Sequence, residues 1–382
     1  MFHYHGSLLI LLILCNLQCK IDKNMSKYFP IKVFDFFTGC GGTCCGFRNT
    51  GMDIVFALDN DPIAANTFRH NFPGVHFLEK DIRDVSCDSI LPLVDACKGH
   101  PILFSGCAPC QPFTKQKTYR PLDDQRQGLL SEFLRFIEHY RVDFIFMENV
   151  PGLQKIKNGY DPFEKLLITL KRLGYRYRFD VIASQLYGVP QKRRRFVLIA
   201  SRLGTIDFPK PTNGPDTKCD YSTVSEWISD LPPITAGETH PIVPNHRAAA
   251  LSPLNLERIR ELGEGDGREK WPEHLKLPCH SNGYTGHTDV YGRMRWNAPA
   301  SGLTTRCISL SNGRFGHPEQ DRAISVREAA CLQTFPRDFI FKGNLHEMAR
   351  QIGNAVPVLL AERFGEQFIN HFNKYSETIA NG

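Results

Sequence analysis

Two stretches of this chain end an apolar run with a side chain able to do chemistry, and a third opens one. In Ser105-Gly106-Cys107-Ala108-Pro109-Cys110-Gln111-Pro112-Phe113 two cysteines stand three apart, the spacing of a redox pair or of half a zinc site. A zinc site needs a second ligand pair, and the candidates Cys40, Cys44 and Cys45 belong to a separate glycine turn. A redox pair normally opens a helix, whereas prolines flank Cys110. Polar, turn-forming neighbours argue equally against a merely buried thiol. In Phe146-Met147-Glu148-Asn149-Val150-Pro151 an acid ends an apolar run, which is costly unless the carboxylate is solvated, paired or functional. Gln191-Lys192-Arg193-Arg194-Arg195 leads into another apolar run. Such a basic cluster usually forms a solvated face or a phosphate patch, but in a strand Arg193 and Arg195 point to one side and Arg194 to the other.

A fourth stretch is built for binding. Thr38-Gly39-Cys40-Gly41-Gly42 is a glycine turn whose backbone can approach a ligand closely, with amides facing an anion or carboxylate. It lacks the third glycine of the dinucleotide fingerprint, because the sixth position is Cys44. Asp59 follows about twenty residues later, where an acid can hold ribose hydroxyls, and Asp81 is placed near an adenine amino group. These features point to a nucleoside cofactor of some kind; a dehydrogenase fits them too, and a plain turn is the competing reading.

The elements that must carry these residues alternate. Ile31–Phe37, Ile54–Asp59, His76–Asp81, Ile102–Gly106, Asp143–Asn149 and Arg194–Arg202 read as apolar strands. Helices are expected from the glycine turn to about Thr50 and over Pro62–Phe72, Leu129–Tyr140 and Pro162–Leu173. Continuous apolar strands separated by amphipathic helices predict a parallel sheet covered on both faces, with ligands beyond the strand carboxyl ends. After Arg202 the chain turns rich in proline and glycine and loses periodicity, and helical pattern resumes over Ser325–Gln333 and Pro357–Phe372. The expected division is residues 1–24 as an extension outside the fold, 25–202 as a catalytic and cofactor-binding domain, 203–345 as a recognition domain, and 346–382 as a helix returning to the first domain.

Composition excludes other classes. The 382 residues are 42% hydrophobic and 23% charged with a net charge of +6, so the chain is neither disordered, fibrous nor a disulfide scaffold. Thirteen irregularly spaced cysteines read as reduced thiols, hence a cytoplasmic location. The apolar run Ser7–Cys15 is shorter than the ~20 residues that span a bilayer and lacks the flanks of a secretory signal, so no membrane partner is expected.

Taken together, these motifs resemble those of the cytosine-5 DNA methyltransferases, in that family's order. DFFTGCGG resembles the cofactor motif, PCQPF the nucleophile motif, ENV the acid motif and Gln191-x-Arg193-x-Arg195 the arginine motif. Val326-Arg327-Glu328-Ala329-Ala330-x-Leu332-Gln333-Thr334-Phe335-Pro336 and Gln351-Ile352-Gly353-Asn354-Ala355-Val356-Pro357 are similar to the two late motifs. The match runs from about Lys32 to Phe372 except for the insert, and departs from the pattern at Asp59, where Glu is common.

The resemblance implies a doubly wound, mostly parallel α/β sheet of the S-adenosylmethionine-dependent methyltransferase type, with a smaller irregular target-recognition domain. It implies Cys110 as nucleophile, Glu148 as acid, Arg195 as the group holding the ring carbonyl, and Arg193 as its support. It implies S-adenosylmethionine as cofactor, lined by Phe37, Gly39, Gly41, Asp59, Asp81, Leu130, Asn354 and Val356, and no metal. The partner is duplex DNA, contacted by Lys115 and Lys117 on a closing loop and by Gln191, Arg293 and Arg306. The protein is then a monomer, of the solo or restriction–modification type, with a cognate nuclease encoded separately. The alternatives are an RNA methyltransferase of the tRNA branch, whose Cys-Phe-Thr stretch is replaced here by Arg306-Cys307-Ile308-Ser309, and a silent DNA-binding regulator, which has no use for Cys110, Glu148 and Arg195.

Overall fold

The computed structural model describes residues 30–108, 128–152, 162–278 and 289–381. The strands are β1 (Lys32–Phe36), β2 (Asp53–Asp59), β3 (His76–Glu79), β4 (Ile102–Gly106), β5 (Phe144–Asn149), β6 (Arg176–Ala183), β7 (Gln191–Lys192), β8 (Arg194–Ser201) and β9 (Ala300–Ser301). Seven of them form one sheet in the order β3-β2-β1-β4-β5-β8-β6, and β7 pairs with β9. The four pairings from β3 across to β5 are parallel; β8 runs antiparallel to both β5 and β6. Strand order reverses between β1 and β4, so the crevice beyond their carboxyl ends is the natural ligand site.

Helices cover both faces. On one side Phe34, Phe36, Phe56 and Phe104 pack with Phe133 and Phe136 of α4 (Leu129–Tyr140), after α1 (Gly42–Asn49), α2 (Pro62–Asn71) and α3 (Leu91–Ala96). The ring centroids lie 4.9–5.6 Å apart between Phe36 and its neighbours, within the favourable range for aromatic pairs. On the other side Val33, Phe144, Phe146, Val197 and Ile199 pack against α1 and a C-terminal helix. Between these elements run α5 (Pro162–Arg172), α6 (Val224–Ile228), α7 (Pro253–Arg260), α8 (Val326–Leu332) and α9 (Leu345–Asn354), before α10 (Val358–Ala380).

The return of α10 depends on missing side chains. A Cβ on Gly46 would sit 2.4 Å from the Val358 carbonyl and 2.6 Å from Ala361 Cβ, so only glycine lets α1 and α10 approach this closely. Helix starts are set locally: Asp61 caps α2 ahead of Pro62, and Ser325 with Glu328 forms a capping box on α8.

Several sequence expectations need amendment. The last helix extends to Ala380, past the expected Phe372. Strand β6 was not foreseen; its Arg176, Arg178 and Asp180 are exposed at the sheet edge, where charges guard against edge pairing. The segment 203–325 contributes Ile206, Val224, Met294 and Leu303 to the core behind the sheet and adds two small clusters, around Ile259 and around Trp271.

Two expected DNA-reading residues do other work. Arg293 is buried, and its guanidinium donates to the carbonyls of Leu262 (2.7 Å), Ile259 (2.9 Å), His317 (2.9 Å) and Gln320 (2.6 Å) and to Asp321. With its donors spent inside the insert it is a structural organiser and not a base reader. Gln191 is also fully buried: its side-chain Nε2 donates to the Leu332 carbonyl at 2.9 Å and to Gln333, and its Oε1 accepts from the Leu303 amide at 3.1 Å. It ties β7 to the start of the 303–306 loop instead of facing a ligand.

Candidate active site

Glu148 and Arg195 are 47 positions apart in the chain but adjacent in space because β8 runs antiparallel to β5. The register pairs Glu148 with Val197 and Asn149 with Phe196, which brings the first residues of β8 beside the carboxyl end of β5. Arg195 Nε lies 2.8 Å from Glu148 Oε1, with side chains 17% and 9% exposed. The contact is an ion pair, and among the described residues no N–H is aligned on Oε1. Burial raises the Glu148 pKa above its ordinary value, and the charges of Arg195 and Arg193 offset this only in part. Burial thus favours the protonated form of this carboxyl group more than water would.

Arg193, expected on the same side of a strand as Arg195, is the one residue between β7 and β8. It is buried and donates to the carbonyls of Leu303 (2.8 Å), Gly353 (2.9 Å) and Ala355 (3.3 Å). It is therefore a positioning residue, locking the 303–306 loop and the end of α9 to the strand that carries Arg195. Where those two segments meet, a Cβ on Gly353 would fall 2.2 Å from the Thr304 carbonyl. Arg306 stands exposed on this tethered loop.

Cys110, Lys115 and Lys117 lie outside the described residues. The approach to them is visible at Ala108, whose carbonyl accepts from Asn149 Nδ2 at 3.0 Å. Asn149 thus fixes the segment entering the Cys110 loop to the strand that bears Glu148, a role whose only sequence signal was its place beside the acid. Cys107, at the end of β4, is a different kind of thiol. Burial, reinforced by the negative charges of Glu148 and Asp35, holds its pKa well above the usual value, so it stays protonated and inert.

Of the residues expected to line a cofactor, Phe37, Gly39, Asp59 and Asp81 lie at or just beyond the carboxyl ends of β1, β2 and β3. Phe37 takes a left-handed φ of 62°, rare for an aromatic residue and a strain found at functional sites. Gly39 also has positive φ, 55°, and a Cβ there would meet nothing within 4 Å, so the side of the turn where a side chain would stand borders open space. The Gly39 amide donates to Asp59 Oδ2 at 2.8 Å, while the Asp61 amide donates to Oδ1 at 2.9 Å. A carboxylate has about four acceptor positions, so Asp59 retains about two for the paired hydroxyls of a ribose. Asp81 ends the neighbouring strand connection and is half-buried. Gly41 opens α1 with φ 97°, packed against Phe68 and Phe72. Leu130 and Val356 are buried apolar groups and Asn354 is exposed at the end of α9. An acid with spare acceptors, a glycine bordering open space and apolar walls fit a nucleoside.

One buried group escaped the sequence reading. Asp35 on β1 accepts from Cys44 Sγ at 3.1 Å beneath the glycine turn, and burial pushes its pKa up to about 6. Among the described residues no group of three or more His, Cys, Asp or Glu could hold a metal ion, and no helix is long and apolar enough to cross a membrane.

Comparison with known proteins accounts for this arrangement. The family model for C-5 cytosine-specific DNA methylases matches residues 31–370. Type II methylase M.HgiDII of Herpetosiphon aurantiacus is 40% identical over 333 residues, covering 86% of this chain and 92% of its own length. Type II methyltransferase M1.HphI of Haemophilus parahaemolyticus is 31% identical over 375 residues, covering 95% of each. In fold, a prophage-encoded E. coli protein described as a DNA modification methyltransferase superposes with a TM-score of 0.70 at 22% identity, over 90% of this chain and 99% of that one. The chain belongs to the C-5 cytosine-specific DNA methylase family and is a DNA (cytosine-5-)-methyltransferase.

Proposed function

We propose that this enzyme methylates carbon 5 of a cytosine extruded from duplex DNA, through a transient bond from Cys110 to carbon 6. The observation that carries the reading is the undersatisfied Glu148–Arg195 pair at the mouth of the strand crevice, in a chain whose close relatives are Type II DNA methylases. Carbon 5 of cytosine is a weak nucleophile, and carbon 6 is hidden inside the duplex. Extrusion costs a few kcal/mol of stacking, which contacts elsewhere must offset. Addition of the Cys110 thiolate to carbon 6 moves the ring's electron pair toward carbon 5 and nitrogen 3. Glu148, its pKa raised by burial, donates its proton or a hydrogen bond to nitrogen 3 and so makes the ring an enamine. Arg195 holds the ring carbonyl and Glu148 together from one guanidinium, while Arg193 keeps that strand in register.

S-Adenosylmethionine supplies an electrophilic methyl group. Asp59, Gly39, Phe37, Asp81, Leu130, Asn354 and Val356 are the residues proposed to hold it. After transfer, a base removes the proton from carbon 5, the electron pair restores the ring double bond, and the Cys110 sulfur leaves. The exposed Arg306 is proposed to contact DNA from the loop that Arg193 anchors, with Lys115 and Lys117 meeting phosphates. The names of the relatives support a modification role in a restriction–modification pair, with a nuclease encoded separately.

The test is covalent trapping. A duplex carrying 5-fluorocytosine at the target should give a denaturant-stable adduct with the wild-type chain and none with Cys110→Ser; an adduct that survives the substitution would assign the nucleophile elsewhere. Mapping methylated cytosines in DNA from an expressing host would identify the target sequence.

A further inference from the structure

The two acids at the strand ends differ in how much of each is left for a ligand. Among the described residues Asp59 accepts well-aligned hydrogen bonds from the amides of Gly39 and Asp61. Asp81 is full. Arg83 folds back over it, donating from Nε to Oδ1 at 2.9 Å, from Nη2 to Oδ2 at 2.6 Å and from its amide to Oδ1 at 3.0 Å. Asn60 Nδ2 reaches Oδ2 at 3.4 Å. Each carboxylate oxygen therefore has two donors, and about four is the whole capacity of the group.

These four donors are not equivalent. The three from Arg83 are short and belong to a residue two positions away, so they form one rigid clamp: a planar fork plus the amide that starts a helical turn. The fourth is long, and it comes from an exposed side chain. It is the contact that yields most readily. An amino group arriving at Asp81 can find a free acceptor position only by replacing it.

We infer that Arg83 is a positioning residue that presents Asp81 as a fixed acceptor for the adenine amino group, and that Asn60 occupies the acceptor position this amino group takes over. The inference rests on the cofactor site proposed above. Its chemistry favours a 6-amino purine, because a 6-oxo purine turns an oxygen toward a carboxylate that has no proton to offer. The hydrogen bonds from Arg83 also keep the Asp81 pKa below the usual carboxylate range, so it is an acceptor throughout the working pH range. Neither Arg83 nor Asn60 belongs to the motifs that carry the family resemblance.

Calorimetric titration of the full chain with S-adenosylhomocysteine and with its hypoxanthine analogue, S-inosylhomocysteine, separates the possibilities. The wild-type chain should prefer the adenine compound. Arg83→Leu, at an exposed position where folding is not at stake, should bind the adenine compound about tenfold more weakly, the worth of one hydrogen bond to a charged group, and lose most of its preference over hypoxanthine. Asn60→Ala should bind the adenine compound at least as tightly as wild type with its preference intact, because it removes a competitor. Two neighbours with opposite effects are not what general loosening of the loop would give. An unchanged adenine-to-hypoxanthine ratio in Arg83→Leu overturns the positioning role, and weaker binding by Asn60→Ala overturns the exchange. A wild-type chain that binds neither compound would instead remove the cofactor reading, and this inference with it.

Discussion

Two buried arginine–glutamate pairs, Glu148 with Arg195 and Glu328 with Arg322, differ in how many donors the carboxylate is given. Glu328 receives both prongs of the Arg322 fork at 2.7 Å, accepts from the Ser325 amide at 2.6 Å, and both side chains are at most 1% exposed. Burial pushes its pKa upward, but Arg322, His317 and the Ser325 amide more than reverse this and hold it below the ordinary value. Glu148 has the Arg195 contact at 2.8 Å, an oxygen with no aligned donor among the described residues, and a partner that still reaches solvent. Burial wins there and the pKa rises. The same two residue types give a carboxylate held toward its ionised form in one place and one pushed toward its neutral form in the other. The difference lies in how many donors each carboxylate is given, since a buried charge left without full pairing shifts toward its neutral form.

The comparison breaks if the two glutamates respond alike to amidation. Glu148→Gln is expected to reduce methyl transfer by about 10²–10⁴-fold, the range for a lost general acid, while duplex affinity and the unfolding midpoint barely move. Steady-state kinetics beside urea melts would decide it, and a parallel fall in stability would make Glu148 structural. Glu328→Gln should do the reverse, costing about 3–5 kcal/mol of stability because Arg322 is left buried without its counter-ion. Turnover per folded molecule should survive that change, and a selective loss of activity would place Glu328 in the chemistry.

Arg195→Ala should come next, with a loss of about 10²–10³-fold in kcat, typical of one donor to a developing negative charge. Full activity would move the ring-carbonyl contact to another residue. The smallest expected effect is on pH dependence, and its sign differs between the pairs. Glu328, with a depressed folded pKa, contributes stability above its unfolded pKa that is lost as pH falls through the folded one. Glu148, with a raised folded pKa, contributes below its unfolded pKa and loses that contribution as pH rises. Comparing melting curves of the two Gln variants with wild type across acidic and neutral pH would show opposite slopes, and slopes of the same sign would refute the contrast.

Much of the frame was legible in the primary structure. Strand β4 and helix α4 have the limits that apolar runs and turn residues predict, and the other expected strands and helices of the first two hundred residues shift by a residue or two at their ends. Strand β6 was missed because Arg176, Arg178 and Asp180 dilute its apolar content, although the alternation of charged and apolar residues in RYRFDVIA is the pattern of an edge strand. The base-reading roles expected of Arg293 and Gln191 failed for one reason. A polar side chain in an irregular segment looks the same in a sequence whether it faces solvent or satisfies buried carbonyls, and only the fold tells which.

What the sequence determined alone is the inventory: a glycine turn closing the first strand, acids at the ends of later ones, a cysteine between prolines, and arginines alternating into a strand. These are local facts, fixed by side-chain type and by periods of two and 3.6 residues. What tertiary structure decided is who meets whom. The antiparallel entry of β8 beside β5 brings Arg195 to Glu148, glycine contacts seat α10 on α1, and the density of donors around each carboxylate sets whether it stays charged. Such outcomes depend on long-range register and on burial, and neither is a property of any stretch of chain taken alone.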